Sequence, residues 1–332
     1  MLGKPKPGLN AAGFAFRGSR RKNFDPAGPM NPDFSIVTPS FRRTDLLKLC
    51  SRSVLDQADV EVEHIVQEGG GPDALGDWRP DDVRLKLAVE PDRGMYDAIN
   101  RGLRKARGAI LAHLNCDEQY LPGALLRVRR FFEDYPGIDV VFGDAVLIDL
   151  DGTPLSYRRI LPPKWNHTRH AHLGTLTCST FFRRSLLERG FFYPDHYRAI
   201  GDAALVLRWL KAGVAMTALR VPLAAFTFTG QNLGASQVAA GEKALLEQEF
   251  GTDLAPLRPY FILQHRFRKA LAGAYWPRRL TVAVYSRRSP ERREPRMLTG
   301  WRHRWPAELA GTTTEVRTAD AAIHGDHGGK RA

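Results

Sequence analysis

Short apolar strands alternate with amphipathic helices along residues 34–146, and no other feature of the sequence restricts the fold as strongly. Strands are predicted at 34–38, 60–67, 83–89, 109–114 and 139–149, because apolar and β-branched residues alternate or cluster there. Between strands, apolar residues recur at helical spacing, as Ile99, Leu103 and Ala106 do before Gly108. This order predicts the α/β class, with a doubly wound and mainly parallel sheet.

Polar loops of unusual composition follow three of the predicted strands. They are Thr38-Pro39-Ser40, Glu68-Gly69-Gly70-Gly71 and Asn115-Cys116-Asp117-Glu118. Ligands of doubly wound sheets bind in the crevice beyond the carboxyl ends of the strands. The three loops therefore predict one binding site to which all of them contribute.

Asp117 and Glu118 are adjacent carboxylates that come soon after a buried strand. Adjacent carboxylates repel each other unless a cation neutralises them, and Mg²⁺ or Mn²⁺ prefers such oxygen ligands. A helix is predicted after Pro122, so the same acids could instead serve as caps for its first turn. The segment alone leaves the metal site and the helix cap both open.

Asp202 lies in the first turn of a predicted buried helix that ends near Gly213. The helix dipole favours the ionised carboxylate there. An ionised carboxylate at the edge of a pocket can act as a general base toward a hydroxyl group. The alternative is an acid whose only role is to stabilise the helix N-terminus.

A second helix start, at 92–100, gathers polar side chains. Such a junction can hold phosphate or sugar hydroxyls through backbone N–H groups and side chains, or it can simply cap the helix. The residues concerned are Asp92, Arg93, Tyr96, Asp97 and Asn100.

Positive charge is concentrated near the two ends of the chain. The net charge is +13, yet residues 33–254 carry 27 Lys/Arg against 29 Asp/Glu. Residues 1–32 carry six Lys/Arg and one acid, and residues 255–305 carry thirteen and two. We therefore predict a basic flexible N-terminal tail (1–32), a central domain (33–254), a basic aromatic extension (255–305) and a flexible tail (306–332).

In the extension, Lys and Arg alternate with Tyr, Phe and Trp. Aromatic rings at headgroup depth and cations that meet anionic lipid are typical of a segment on a membrane surface. The alternative is a helical subdomain with an aromatic core and solvated arginines. A nucleic-acid partner is not expected, because the basic residues are not spread over the central domain.

Cysteine use and hydropathy indicate the compartment. Cys50, Cys116 and Cys178 are far apart and form neither a disulfide framework nor a CxxC motif. No apolar run approaches the ~18 residues of a membrane span, and residues 1–32 lack the apolar run of a secretory signal. We expect a cytoplasmic protein, either soluble or peripheral on the inner face of the cell membrane.

Three histidines lie close together in the segment WNHTRHAH, at His167, His170 and His172. No nearby Cys completes a set of four zinc ligands. We therefore expect these side chains to be solvated on a polar loop rather than bound to zinc.

Several segments match a known family in order and spacing. They are FSIVTPSFRRTDLLKLCSRSVLDQ, EHIVQEGGGPDAL, EPDRGMYDAINRGLRKARGAILAHLNCDEQY, VVFGDAVLIDLDG, and FFRRSLL followed by GDAALVLRWLKAG. Together they resemble family 2 glycosyltransferases with the GT-A fold, in the subgroup whose helix reads close to DxGIYDAMNKG. The resemblance covers roughly residues 33–230 and implies a nucleotide-binding half and an acceptor half.

The resemblance also implies an activity: transfer of a hexosyl or N-acetylhexosaminyl group from a nucleoside-diphosphate sugar, with inversion, in cell-envelope or exported polysaccharide or glycolipid synthesis. The acceptor would be a glycan or a lipid-linked glycan. Asp202 stands at the position of the catalytic base, and Asp117, with Glu118 as a second candidate, would bind Mg²⁺ or Mn²⁺. The remaining candidates would bind the nucleotide sugar: Thr38, Pro39, Ser40, Glu68, Asp92, Arg93, Asn100, Asn115 and Cys116.

The sequence departs from the family pattern at several of these positions. Asn115 replaces the first acid of the DxD-type motif, Glu68 replaces an aspartate, and Gly201 replaces an acid that often precedes the base. These departures keep a second hypothesis open, in which the chain is a catalytically inactive nucleotide-sugar binding module.

Overall fold

The computed structural model describes residues 31–229 and 237–300. The predicted tails lie outside these ranges apart from Asn31 and Pro32, and so do residues 301–305 of the predicted extension. In the described part, eleven strands and eight α-helices are present. The helices are α1 (Thr44–Leu55), α2 (Met95–Lys105), α3 (Ala124–Asp134), α4 (Trp165–His170), α5 (Ser185–Glu188), α6 (Gly201–Lys211), α7 (Gln237–Phe250) and α8 (Arg258–Leu271).

The first half of the main sheet is parallel, with the order β3-β2-β1-β4. These strands are β1 (Phe34–Ser40), β2 (Val62–Glu68), β3 (Leu85–Val89) and β4 (Ile110–His113). Every strand predicted in this half is confirmed to within a few residues, and so is the α/β class.

The second half of the sheet adds β8, β6, β9 and β5 in that order, and β7 pairs with β6. The strands are β5 (Gln119–Tyr120), β6 (Val140–Ile148), β7 (Pro154–Arg158), β8 (Thr180–Arg183) and β9 (Met216–Thr227). β6 and β9 are parallel, whereas β5, β7 and β8 are antiparallel to their neighbours. Antiparallel strands therefore enter the mainly parallel sheet in its second half.

Helices cover both faces of the sheet. Successive residues of a strand point to opposite faces, so Ile36 of β1 packs in the cluster with α1 and α3, whereas Val37 packs with α2 and α6. Ile99 and Leu103 of α2 are buried as predicted, while Arg104 and Lys105 lie on its outer side. The two apolar layers fix the sheet, and thereby the loops at its carboxyl edge.

A hairpin of β10 (Arg278–Val284) and β11 (Glu294–Gly300) packs beside β7. Val282, Val284 and Leu298 share an apolar cluster with residues of β6 and β7. Tyr285 exchanges two backbone hydrogen bonds with the Gln119 side chain, each 2.9 Å long. The hairpin is therefore part of the folded body.

Membrane-spanning character is absent from the helices of residues 31–229 and 237–300, none of which is both long and apolar enough to cross a bilayer.

Candidate active site

The carboxyl ends of β1, β2 and β4 lie side by side. Ser40 pairs with Glu68 in the parallel register of β1 and β2. The Leu114 N–H, just after β4, donates to the Val37 carbonyl of β1 (2.9 Å). This register brings the three predicted loops to one edge of the sheet, as expected for a parallel arrangement.

Glu68, the last residue of β2, is fully buried at this edge. Its Oε1 accepts the N–H groups of Gly70 (2.7 Å) and Arg42 (3.1 Å). Its Oε2 is buried without a hydrogen-bond partner in the described part of the chain, and so is the Ser40 hydroxyl. Because unpaired buried polar atoms destabilise a fold, these two atoms are candidates for contacts with a polar ligand.

Asp92 lies against the glycine turn that follows β2. A Cβ atom on Gly69 would be 2.2 Å from Asp92 Oδ2, so only glycine fits there without displacing the carboxylate. Asp92 Oδ1 accepts the Gly94 N–H (2.8 Å). Burial raises the pKa of Asp92, and the nearby charge of Glu68 adds to this effect. Glu68 and Asp92 therefore form one acidic corner of the site.

Arg93 and Asn100 belong to the same loop-to-helix junction as Asp92, but their surroundings differ. The exposed Arg93 Nη2 donates to Asp97 Oδ1 (3.1 Å) and Asp195 Oδ2 (2.6 Å). The buried Asn100 side chain donates to the Tyr193 carbonyl (2.7 Å) and accepts the Tyr193 N–H (3.0 Å). Arg93 thus lies at the rim, whereas Asn100 is not brought to the cleft and instead holds the chain at Tyr193.

Thr38, Pro39 and Cys116 face the protein interior. The Thr38 hydroxyl lies 2.8 Å from His64 Nε2, and Pro39 is buried in β1. The Cys116 thiol packs in an apolar cluster with residues of α1 and β2. The side chains of Thr38 and Cys116 are occupied in the core, so these residues can offer a ligand only their backbone.

Asn115, Asp117 and Glu118 form a compact turn after β4. Glu118 Oε2 accepts the Asn115 N–H (2.8 Å), and Asp117 Oδ2 lies 3.4 Å from Arg43 Nη1. Asn115 Oδ1 and Glu118 Oε1 are buried without hydrogen-bond partners in the described ranges. Burial raises the pKa of Glu118 to about 8, with a further increase from the Asp117 charge, and burial also raises the pKa of Asp117.

This turn fits a divalent cation. It offers carboxylate and amide oxygens, the ligands that Mg²⁺ and Mn²⁺ prefer, and two of these oxygens have no other partner within residues 31–229 and 237–300. The alternative assignment as helix caps is wrong: α3 begins at Ala124 after Gly123, and no side chain caps it. Asn115 Oδ1 and Glu118 Oε1 are therefore candidates for contact with a bound cation or ligand.

Asp202 lies in the first turn of α6, as predicted. Its Oδ1 accepts the Ala203 N–H (2.8 Å) and lies 3.4 Å from the Tyr96 hydroxyl, which accepts the Asp202 N–H (3.2 Å). Burial raises the pKa of Asp202 to about 6. The Tyr96 contact sets Asp202 beside the start of α2, the helix that follows β3, and so at the carboxyl edge of the parallel strands.

Tyr96 also explains the glycine that precedes Asp202. A Cβ atom on Gly201 would lie 2.7 Å from the Tyr96 ring, which stacks on Tyr193 with ring centroids 5.5 Å apart. The Tyr193 hydroxyl in turn lies 2.7 Å from His113 Nδ1 at the end of β4. A stacked tyrosine pair therefore links the helix that carries Asp202 to the edge that carries Asp117.

Glu242 of α7 is a site-building residue that the sequence did not reveal. Its carboxylate accepts the N–H groups of Arg198, Ala199 (2.9 Å) and Ile200 (3.1 Å), directly before α6. Its negative charge contributes to the raised pKa of Asp202. No local motif marks it, because it lies forty residues further along the chain from the segment that it binds.

The expectation that the three close histidines are solvated is wrong for two of them. His167 and His170 are buried, and the His167 ring stacks on His265 of α8 with centroids 4.0 Å apart. Nitrogen atoms of His167, His172 and His265 lie within 4.8 Å of one another. The His167 and His265 ring planes are 15° apart, so the in-plane nitrogen lone pairs of the two stacked rings run nearly parallel and do not converge on one ion. This geometry disfavours a shared cation there.

Comparison with known proteins finds a family match over part of the chain and a likeness of fold. The sequence profile described as Glycosyl transferase family 2 matches residues 35–191. This range includes every predicted site residue except Asp202.

Relatives of the chain are named for glycan or glycolipid synthesis. A PGL/p-HBAD biosynthesis glycosyltransferase of Mycobacterium tuberculosis is 28% identical over 200 residues, which are 55% of this chain and 76% of that protein. The Bacillus subtilis protein TuaG, named for teichuronic acid biosynthesis, is 24% identical over 64% of this chain and 85% of its own length.

A solved structure gives the fold. The crystal structure of S. aureus TarS 1–349 in complex with UDP-GlcNAc matches with a TM-score of 0.50 and 16% identity, over 73% of this chain and 75% of that one. At this identity the likeness is one of fold alone. The expected GT-A fold is thereby confirmed.

Proposed function

We propose that the chain transfers a sugar from a nucleoside-diphosphate sugar to an acceptor hydroxyl, with inversion at the anomeric carbon, because residues 35–191 match the profile described as Glycosyl transferase family 2. One observation supports this most directly. The Glu68–Asp92 corner, the Asn115–Glu118 turn and Asp202 all lie at the carboxyl edge of one sheet. A donor, a cation and a base would thus be held within a single cleft.

The donor would lie along the carboxyl ends of β1 and β2. Glu68 Oε2 and the Ser40 hydroxyl, which have no other partner among the described residues, would hydrogen-bond to the nucleoside, and Asp92 would border it. Thr38 and Pro39 would contribute backbone surface, and Arg93 would lie at the rim. This assignment rests on the family's pattern together with the burial of these groups.

Asp117, with Glu118 and Asn115, would hold a divalent cation against the diphosphate. When bound, the cation neutralises charge that develops on the departing diphosphate. Asp117 is the best placed of the three, because it is partly exposed whereas Glu118 is almost fully buried. We assign Glu118 the task of orienting the turn through the Asn115 N–H.

Asp202 would act as the general base. As the acceptor oxygen forms its bond to the anomeric carbon, the bond from that carbon to the diphosphate oxygen breaks, and the acceptor proton passes to the Asp202 carboxylate. Attack opposite the leaving group inverts the anomeric centre. The pKa of about 6 makes Asp202 a stronger base than an ordinary aspartate while leaving it mostly ionised at neutral pH.

The acceptor would be a growing glycan or a lipid-linked glycan of the cell envelope. This proposal draws on the relatives named for PGL/p-HBAD and teichuronic acid biosynthesis. The reaction would then take place in the cytoplasm, at the inner face of the membrane that carries such an acceptor.

A donor screen tests the proposal. UDP-, GDP-, dTDP- and CMP-sugars are each added with and without Mn²⁺, and thermal stability and nucleotide release are measured. We expect one donor to stabilise the protein in a metal-dependent way and to release its nucleotide slowly. Asp117→Asn should weaken the metal dependence.

Asp202→Asn is the matched variant for the chemical step. It should retain donor-induced stabilisation and lose nucleotide release, because the donor contacts are untouched. Donor binding without release by the wild type, even with candidate acceptors present, would instead indicate a nucleotide-sugar binding module. A lack of response to every donor would refute the assigned site.

A further inference from the structure

Helix α8 has an exposed stripe of large apolar side chains. Tyr260, Leu263, Phe267 and Leu271 are 57%, 66%, 62% and 74% exposed, and Trp276 just beyond the helix is 69% exposed. The four helical residues follow the spacing i, i+3, i+7 and i+11, which places them within about 80° of arc on an α-helix. An apolar stripe of this kind in water is characteristic of an interaction surface.

The opposite side of α8 is used for packing. Phe261 and His265 are buried, and they stack on His170 and His167 of α4. α4 packs in turn on α6, the helix that carries Asp202. The stripe therefore faces away from the protein. Its helix packs on α4, and α4 packs on the helix that carries the proposed base.

The segment that carries the stripe has charge of one sign. Residues 258–279 contain six cationic side chains and no Asp or Glu. Arg258, Arg266 and Arg279 are exposed. The six cations are Arg258, Arg266, Arg268, Lys269, Arg278 and Arg279.

The arginines at the tip of the β10–β11 hairpin are different, because acids of the body neutralise them. Arg287 pairs with Asp45 (2.6 Å), Arg288 with Asp151 (2.9 Å) and Arg293 with Asp56 (2.6 Å). Three arginines at the hairpin tip thus hold the hairpin to the domain, whereas Arg258 and Arg266 of α8 and Arg279 of β10 are exposed.

We propose that the exposed face of α8, together with Trp276, docks on an anionic lipid surface. Its apolar stripe would enter the headgroup–acyl boundary, and the flanking arginines would meet lipid phosphates. A second copy of the chain fits less well, since a two-fold contact would oppose like charges across the same stripe. Lipid docking itself does not depend on the proposed function. Only its consequence, that α8 brings the active site to a lipid-linked acceptor, rests on that function.

Vesicle sedimentation with the full chain tests the proposal. We expect wild-type protein to bind phosphatidylcholine vesicles that contain phosphatidylglycerol, and to bind phosphatidylcholine alone far more weakly. Leu263→Gln with Phe267→Gln should weaken binding on the order of 100-fold, because each apolar side chain that the membrane buries contributes about tenfold or more to the affinity. Replacing Arg266 and Arg279 by Gln should weaken it on the order of 25-fold, about fivefold per cation.

Two control variants match these changes elsewhere on the surface. Val83→Gln removes an apolar side chain that is 83% exposed, and Arg130→Gln removes an exposed cation of α3. Both should bind vesicles as the wild type does. Circular dichroism of each variant establishes that the fold is intact.

The outcomes separate this inference from the proposed function. Nucleotide release in solution should be unchanged in the α8 variants, since none of the substituted residues lies in the cleft. If the wild type binds anionic vesicles but turns over no donor, the docking surface stands and the proposed function fails. Failure of the wild type to bind anionic vesicles overturns the docking surface. A different result would also overturn it: the wild type fails to bind vesicles, light scattering shows a dimer, and Leu263→Gln with Phe267→Gln converts that dimer to a monomer. That result would identify a second copy of the chain as the occupant of the stripe.

Discussion

The activity should fall steeply below neutral pH if Asp202 is the general base. Only the ionised carboxylate can accept the acceptor proton, and burial raises the pKa of Asp202 from 3.8 to about 6. Ionisation then decreases from about 90% at pH 7 to about 10% at pH 5, so kcat/KM should fall about tenfold. An aspartate with an ordinary pKa would remain more than about 90% ionised at pH 5, and the profile would be nearly flat.

The fall in kcat/KM at low pH forms the acidic limb of the pH profile, and two substitutions should shift this limb in opposite directions. Tyr96→Phe removes the hydroxyl that lies 3.4 Å from Asp202 Oδ1 and favours the charged form, so the pKa of Asp202 should rise by about half a unit. Glu242→Gln removes a negative charge that favours the neutral form, so the limb should move to lower pH. Tyr197→Phe is the control, because its hydroxyl bonds Glu249 instead (3.0 Å).

Initial rates at low donor and acceptor concentrations, with saturating metal, give kcat/KM across the pH range. Circular dichroism at each pH excludes loss of fold as the cause of a decrease. A wild-type profile that stays flat down to pH 5 would refute the assignment of Asp202. A shift of the limb in the same direction for Tyr96→Phe and Glu242→Gln would refute the electrostatic reasoning.

Three further substitutions test individual contacts. Gly69→Ala should raise the donor KM about tenfold and change kcat less, because the new Cβ would lie 2.2 Å from Asp92 Oδ2, and donor titrations measure this. Gly201→Ala should lower the free energy of unfolding by about 1–3 kcal/mol, since its Cβ would lie 2.7 Å from the Tyr96 ring, and urea denaturation measures this. Asp202→Asn should raise the free energy of unfolding at pH 7 by at most about 3 kcal/mol, because a folded-state pKa above the unfolded value penalises the ionised form. That gain should shrink as the pH falls from 6 toward 3.8, so urea denaturation at pH 7 and pH 4 should give different results for this variant.

The parallel half of the fold could be predicted from local patterns. Strands β1 to β4 and helices α1 to α3 each carry their own periodicity, and parallel strands with buried faces read as apolar runs. β5 and β8 could not be predicted in this way, since they have two and four residues and are strands only because β9 and β4 pair with them. Pairing partners that are distant in sequence leave no local signal.

The candidate site could likewise be predicted only where its residues lie next to a local sequence pattern. The acids at the carboxyl edge follow strands directly, so their neighbours in the sequence identify them. Glu242 and His265 act on segments forty to a hundred residues away, and nothing in their own surroundings marks them. The same limit applies to Asn100, whose two hydrogen bonds to the Tyr193 backbone direct its amide into the core although its sequence position suggested a ligand contact.

Gly201 illustrates how a departure from a family pattern acquires a physical cause. An acid at this position would place a second carboxylate beside Asp202, whereas here the Tyr96 ring fills that space and its hydroxyl lies 3.4 Å from Asp202 Oδ1. The glycine is therefore required by a neighbour that supports the proposed base, and it gives no support to an inactive site. Tyr96 also stacks on Tyr193, whose hydroxyl lies 2.7 Å from His113 beside the Asp117 turn, so the tyrosine pair connects the proposed base to the proposed metal site. A change at Gly201 should consequently affect both the acidic limb and the metal dependence, although the residue itself touches neither donor nor cation.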